Sequence, residues 1–185
     1  MKRPLVALLI CSFVIVGCQQ EQLSEESIPV GEALNDNLSI PLINQAEEKI
    51  GVASLNQVKD KLYVRIISNG LTAGEHGVHF HETGLCEAPS FISAGGHFNP
   101  EEASHGFHNG KDVHAGDLPN IFVQQDGTVD MTVSTTGVTL MAKHDHSLLD
   151  RDGSSIIIHE NSDDYKTDPS GNSGDRFACG VISGQ

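Results

Sequence analysis

The chain is poor in positive charge. Across 185 residues it carries 11 Lys and Arg against 25 Asp and Glu, a formal net charge of −14. That balance excludes non-specific binding to nucleic acid or to an anionic lipid surface, and an anionic ligand must find a local positive site against the overall field. Sustained helical periodicity is also missing, which argues against an α-helical domain. No internal repeat or second domain is visible. Long apolar runs are absent except at the start, where Leu5 to Val16 is almost continuously apolar. That run is too short for a stable membrane span, and with Lys2 and Arg3 before it, it reads as a signal peptide over residues 1–17.

The tetrad Ile15-Val16-Gly17-Cys18 resembles a bacterial lipobox. In such a motif the cysteine, here Cys18, becomes the lipidated first residue after cleavage, and two or more acyl chains hold a protein stably at a membrane surface. The expected location is therefore extracytoplasmic, with the lipid anchor on the bacterial cell membrane or envelope. Loss of Lys2 and Arg3 with the leader takes the formal charge from −14 to −16. Residues 18–37 are polar and acidic without periodicity and read as a flexible tether, leaving 38–185 as the folded domain. Cysteine is scarce too. Of four, Cys11 lies in the leader and Cys18 in the lipobox, so only Cys86 and Cys179 remain for the domain. An exported protein with two cysteines is expected to pair them. Closing so long a loop is worth roughly 4–5 kcal/mol on the chain-entropy model.

What is present is β-structure. Leu62, Val64 and Ile66 alternate with Tyr63, Arg65 and Ile67, and Val129, Met131 and Val133 alternate more cleanly with Asp130, Thr132 and Ser134. Short segments at 39–43 and 50–55, Ile156-Ile157-Ile158 and Cys179-Gly180-Val181-Ile182 supply further strands. Gln125-Asp126-Gly127, between Ile121-Phe122-Val123 and the strand at 129, predicts a hairpin. About eight short strands imply an all-β antiparallel sandwich or flattened barrel. Two Gly-rich polar stretches, 82–117 and 160–175, interrupt the pattern. Long irregular loops on a compact β-domain are usually functional.

Ten histidines occur, nine of them from His76 to His146. If His76-Gly77-Val78-His79-Phe80-His81 runs as a strand, His79 and His81 share one face while Val78 and Phe80 share the other. Two imidazoles at that spacing can grip one metal ion. His97, His105 and His114 follow, with Asp117 three residues on, and three imidazoles plus a carboxylate form a closed set suited to structural zinc. His159 ends the Ile156-Ile157-Ile158 strand and joins His79 and His81 as a nitrogen donor for a second metal, a donor type that suits copper.

These strings, in this order, resemble the copper–zinc superoxide dismutase family: Gly77-Val78-His79-Phe80-His81-Glu82, Gly96-His97-Phe98-Asn99-Pro100, His105-Gly106, His114-Ala115-Gly116-Asp117-Leu118, and the run at 171–181 containing Arg176 and Cys179. The resemblance covers residue 38 to the C-terminus. It implies a Greek-key β-sandwich in which His79, His81, His97 and His159 bind copper. His97, His105, His114 and Asp117 would bind zinc, with His97 as the bridge between the metals. It further implies that Cys86 and Cys179 form the family disulfide, that Asp163 links His79 to His105, and that Arg176 guides the anion in beside copper. The activity implied is dismutation of superoxide to oxygen and hydrogen peroxide by alternate reduction and reoxidation of copper, with Arg176 and His97 as catalytic residues.

His76, His108, His144 and His146 match no ligand of the family; His144-Asp145-His146 reads as a solvated loop between strands and His108 as an exposed side chain. The stretch at 160–175 holds Asp163, Asp164, Asp168 and Asp175 against one lysine, Lys166. It resembles bacterial members, so the lysine-based steering of animal enzymes does not transfer. Bacterial relatives occur as monomers and as dimers, which leaves a homodimer among the partners the resemblance allows. A copper-binding or copper-buffering envelope lipoprotein without dismutase activity is the competing reading. It would need the copper histidines but neither Arg176 nor a bridging His97.

Overall fold

The computed structural model describes residues 37–109 and 113–183. The signal peptide, the lipidated Cys18 and the tether expected at the N-terminus therefore lie outside the described residues, apart from residue 37. Among the described residues there are nine strands. These are β1 (Asn37–Asn44), β2 (Lys49–Val58), β3 (Lys61–Ser68), β4 (Gly74–His76), β5 (Val78–His81), β6 (Ile121–Val123), β7 (Val129–Thr135), β8 (Ser154–His159) and β9 (Arg176–Ile182). Helical structure is confined to two single 3₁₀ turns, and no described helix is long and apolar enough to cross a membrane.

Seven strands form one curled antiparallel sheet in the order β5-β8-β9-β1-β2-β3-β7, and β4 pairs with β6 in a second small sheet. The first three strands meander, whereas β7 returns beside β3 and β9 beside β1 only after long connections. Such returns are the mark of Greek-key wiring. The alternation read from the sequence is the burial pattern. Leu62, Val64 and Ile66 are buried and Arg65 and Ile67 exposed in β3. In β8 every residue is buried, because both of its faces are covered. Ile156 and Ile158 join the main core with Val78, Phe80, Leu55 and Leu62. Ile157 points the other way, into a smaller core of Phe91, Ala94 and Cys179 beneath the loop that follows β5.

The hairpin expected at Gln125-Asp126-Gly127 is corrected in part. A tight turn forms, with Gln124 N–H donating to Thr128 O at 2.8 Å and Gly127 N–H to Gln124 O at 2.9 Å. Its arms then separate. β6 pairs with β4, while β7 pairs along its whole length with β3, from Leu62↔Thr135 to Ser68↔Val129. The local turn signal was sound, but the longer β3 ladder took the second arm.

Both irregular stretches are present, at 82–120 between β5 and β6 and at 160–175 between β8 and β9. The first is not loose. It lies along the free edge of β5, where Phe80 N–H donates to Gly116 O, Phe98 N–H to Phe80 O and Glu82 N–H to Gly96 O at 2.8–3.0 Å. Gly116 is needed for that approach, since a Cβ there would sit 2.5 Å from Phe80 O. A disulfide between Cys86 and Cys179, 93 positions apart, ties the same loop to β9.

Neighbouring residues of β3 give a direct check on this packing. Ile66→Ala, in the core, is expected to lower unfolding free energy by about 2–5 kcal/mol. Ile67→Ala, on the outer face, should change it by no more than about 0.5 kcal/mol. Urea unfolding of the two variants measures the contrast, and equal losses would contradict the assigned face of β3.

Candidate metal centre

Strand geometry supplies the first donors. In β5 the pleat sends Val78 and Phe80 into the core and His79 and His81 to the opposite face, where all are still buried. His159 closes β8 at a register shift between Ile158 and His159, a bulge of the kind that re-aims a side chain. The first loop brings His97 against β5 through a bridge to His81, and Asp117 through a bridge to His79. The ligand atoms of His79, His81, His97 and His159 lie within 4.8 Å of one another, and so do those of His97, His105, His114 and Asp117. The two groups share His97.

Each member of the first group has one ring nitrogen engaged and one without a partner. His79 Nε2 lies 2.7 Å from Asp163 Oδ2, His81 Nδ1 3.0 Å from Gly95 O, His97 Nδ1 2.9 Å from Asp117 Oδ1 and His159 Nδ1 3.3 Å from Gly174 O. The nitrogens left over are His79 Nδ1, His81 Nε2, His97 Nε2 and His159 Nε2, all buried and unpaired. Buried polar atoms are almost always satisfied. Four orphans pointing into one space are what an all-imidazole metal position requires, and copper suits such donors.

In the second group the crowding itself is informative. Asp117 Oδ1 lies 2.9, 3.1 and 3.4 Å from the Nδ1 atoms of His97, His105 and His114, and His97 Nδ1 and His114 Nδ1 are 3.3 Å apart. Donors about 2.0–2.1 Å from a tetrahedral zinc stand about 3.3–3.4 Å from one another, so the residues present fit that ion. Behind both groups sits Asp163, with Oδ2 on His79 and Oδ1 3.0 Å from His105 Nε2. Carboxylates placed behind ligating imidazoles fix ring orientation and tautomer.

The electrostatics separate the groups. Burial pushes His79 below its ordinary value and His81 and His159 well below theirs, and it takes His97 down to about 4 despite the hydrogen bond to Asp117. For His105 burial also opposes the charge, but hydrogen bonds to Asp117 and Asp163 outweigh it and raise the group to about 9. Burial works against both carboxylates as well, yet their imidazole partners hold Asp117 and Asp163 below the usual carboxylate range.

Arg176 opens β9 directly opposite His159. Its guanidinium is half-buried, with Nη1 donating to Phe91 O and Nη2 to Gly95 O, each at 2.6 Å. Gly95 O also accepts from His81, so one carbonyl holds the cation beside the first group. Burial draws the Arg176 pKa down, partly offset by Glu82. A cavity of about 240 Å³ opens over it, lined by Gln45, Ser90, Ile92, Gly174 and Asp175.

All the sequence-selected side chains of the domain thus meet in one region. Two kinds of group were missed. Carbonyls such as those of Phe91 and Gly95 carry no residue-type signal. His76, set aside on sequence, is buried with Nδ1 2.7 Å from His159 O and Nε2 2.8 Å from Thr72 O. Its only sequence cue was its place beside the His79–His81 pair. His108 and His144 are exposed, while His146 bridges Gly137 O and Glu101 at 2.6 and 3.0 Å.

Fold and site together define a class, a β-barrel protein whose strands and loops bring together two adjoining donor groups around a shared imidazole. The chain belongs to the copper/zinc superoxide dismutase family, whose profile matches residues 49–182. It is 37% identical over 193 residues to the superoxide dismutase-like protein YojM of Bacillus subtilis, covering 100% of this chain and 97% of that one. With superoxide dismutase [Cu-Zn] 1 of Aquifex aeolicus it shares 42% over 142 residues, 76% of this chain and 84% of the relative. Among solved structures, a SOD-like protein from Bacillus subtilis superposes with a TM-score of 0.76 at 40% identity, covering 80% of this chain and 99% of that one. The Cu/Zn superoxide dismutase from Brucella abortus does so with 0.65 at 27%, covering 80% and 99%. Copper and zinc are the cofactors this membership implies, and the two donor groups suit them.

The opposed shifts have a consequence for the metal-free chain, which is expected to be most stable near pH 6.5. Below that, folding resists protonation of His79, His81, His97 and His159, so stability is lost as the pH falls from 6.5 towards 4. Above it, the favourable charge on His105 is lost as the pH rises through about 9. Thermal unfolding in chelator at about pH 4.5, 6.5 and 9.5 reads this, and a midpoint that climbs steadily across the range would contradict it.

Proposed function

We propose that the chain is a superoxide dismutase that converts two superoxide ions and two protons to oxygen and hydrogen peroxide, working outside the cytoplasm from a lipid anchor at Cys18. The observation that carries this reading is the placement of the Arg176 guanidinium beside four buried, unpaired imidazole nitrogens. A protein that only stores copper has use for the nitrogens but not for a fixed cation next to them. Family membership and the named Cu-Zn dismutases among the relatives support the same reading, although one relative is described only as dismutase-like.

In this reading copper takes His79, His81, His97 and His159, zinc takes His97, His105, His114 and Asp117, and Cys86–Cys179 braces the loop between them. Copper in that position supplies a one-electron couple that alternate superoxide ions reduce and reoxidise, and zinc supplies charge that steadies the shared imidazole. The protein's own groups do the rest. Each terminal nitrogen of Arg176 spends one N–H on a carbonyl and keeps one for an anion, a charge-assisted bond of the stronger kind. With Glu82 and Asp175 nearby and a formal −16 on the mature chain, Arg176 is the local cation that recruits the anion. His97 is the proton carrier. Its Nδ1 is engaged by Asp117 and its Nε2 faces the open space. With its other nitrogen held, Nε2 is placed to pass a proton to a reduced oxygen species in that space.

Pulse radiolysis or stopped-flow decay of superoxide with the copper- and zinc-loaded chain tests the proposal. Fast decay is expected from the natural sequence. Arg176→Ala should slow it about 10- to 100-fold, the equivalent of one charged hydrogen bond. His97→Ala should slow it by about 10²- to 10⁴-fold, the usual worth of a positioned proton donor. A chain that takes up both metals yet leaves superoxide decay unchanged would overturn the enzyme reading in favour of a copper-buffering lipoprotein.

A further inference from the structure

Asp163 spans both donor groups but lies in the irregular stretch 160–175, where no strand ladder holds it. Most backbone hydrogen bonds of that stretch close it on itself, as Glu160 N–H to Asp175 O, Asn161 N–H to Ser173 O and Asp164 N–H to Gly171 O. Something else must fix the carboxylate relative to His79 and His105. Some contacts leave the stretch well away from the carboxylate, as Gly77 N–H to Asn161 O and His105 N–H to Asp168 Oδ1, but those at the main chain of Asp163 and beside it are made by Asn120 and Tyr165.

Asn120, three residues beyond Asp117, clasps the main chain of Asp163 with both ends of its side-chain amide. Asp163 N–H donates to Asn120 Oδ1 and Asn120 Nδ2 donates to Asp163 O, each at 2.9 Å. Tyr165 N–H donates to Asp163 Oδ1 at 2.6 Å, and the Tyr165 hydroxyl accepts from Asn120 N–H at 2.6 Å. The ring therefore runs from Asn120 to Asp163 to Tyr165 and back to Asn120. Tyr165 closes it in a left-handed backbone conformation, φ 59°, with its main-chain N–H on Asp163 and its hydroxyl on Asn120. A non-glycine residue keeps that conformation only where its surroundings over-determine it. They do so here. Tyr165 O accepts from His108 N–H at 2.9 Å, and the phenol ring lies 5.4 Å from the ring of Phe107. The approach is so close that a Cβ on Gly106 would fall 2.3 Å from Tyr165 O. Tyr165 thereby touches the chain beside His105 and, through Asn120, the chain beside Asp117.

We propose that Tyr165 is a positioning residue of the metal centre: by closing the ring with Asn120 and Asp163 it fixes the carboxylate that spans His79 and His105, and so keeps the zinc donors in register with the copper donors. The inference rests on the two-metal reading of the site given above. Tyr165→Phe is the informative change, because it removes the hydroxyl while keeping the ring against Phe107. The full chain is stripped of metal, loaded with zinc, and zinc release into excess chelator is timed; cobalt is then placed in the zinc position and copper in its own for spectroscopy.

Tyr165→Phe is expected to release zinc about tenfold faster, of the order seen when an outer hydrogen-bond partner of a ligand is lost. It should also shift the cobalt visible bands and the copper EPR hyperfine pattern, since Asp163 orients a donor of each metal. Ile66→Ala, which weakens the core far from this ring, serves as the comparison. Unchanged release and spectra in Tyr165→Phe, or equal effects from Ile66→Ala, would overturn the positioning role. If the natural sequence itself takes up neither zinc nor copper, the two-metal reading is what falls.

Discussion

The centre depends on His105 holding a carboxylate at each ring nitrogen. Nδ1 is 3.1 Å from Asp117 and Nε2 3.0 Å from Asp163, all three side chains being fully enclosed. A buried imidazole between two buried carboxylates settles where positive charge belongs, and the other histidines divide around it. Those sharing Asp117 crowd into a closed set. His79, His81, His97 and His159 each have one nitrogen tied, to a carboxylate or a carbonyl, and one without a partner. The difference between the two donor groups thus begins in what holds the second nitrogen of each ring.

Around this nucleus the protein builds from both sides. The strand side is rigid, with β5 and β8 packed into the main core on one face while presenting His79, His81 and His159 on the other. The loop side would be free to move were it not for the second small core. Phe91, Ala94 and Ile157 pack around the Cys86–Cys179 bond, and this packing delivers the carbonyls of Phe91 and Gly95 to Arg176. The cation is therefore held by the same elements that enclose the metal loop.

Much of this was legible in the sequence. The alternation in β3 and β7 and the His79–His81 spacing follow from the pleat, which repeats every two residues whatever surrounds it. The position of His159 at a strand end was legible for the same reason. His97, His105, His114 and Asp117 were legible as a donor set of types suited to zinc, but they lie in a loop without periodicity, and the sharing of His97 was readable only through resemblance to the family. What was not legible is main-chain chemistry. Nothing in the letters marks Gly95 O as shared by His81 and Arg176, or Tyr165 as bonded to both Asp163 and Asn120. The turn at Gln125-Asp126-Gly127 marks the limit of local signals, since turn residues fix a bend while the longer ladder decides which strands pair.

The backbone of β5 has a further significance. It is the last strand of its sheet, and a strand in that position offers a row of free N–H and C=O groups to any extended chain that passes. Here Gly96, Phe98 and Gly116 occupy the row, and they lie in the very segment that carries His97, His114 and Asp117. Metal donors and edge cover are one piece of chain. The segment that closes the sheet edge is thus the one whose side chains gather into the donor groups, and whatever steadies one steadies the other.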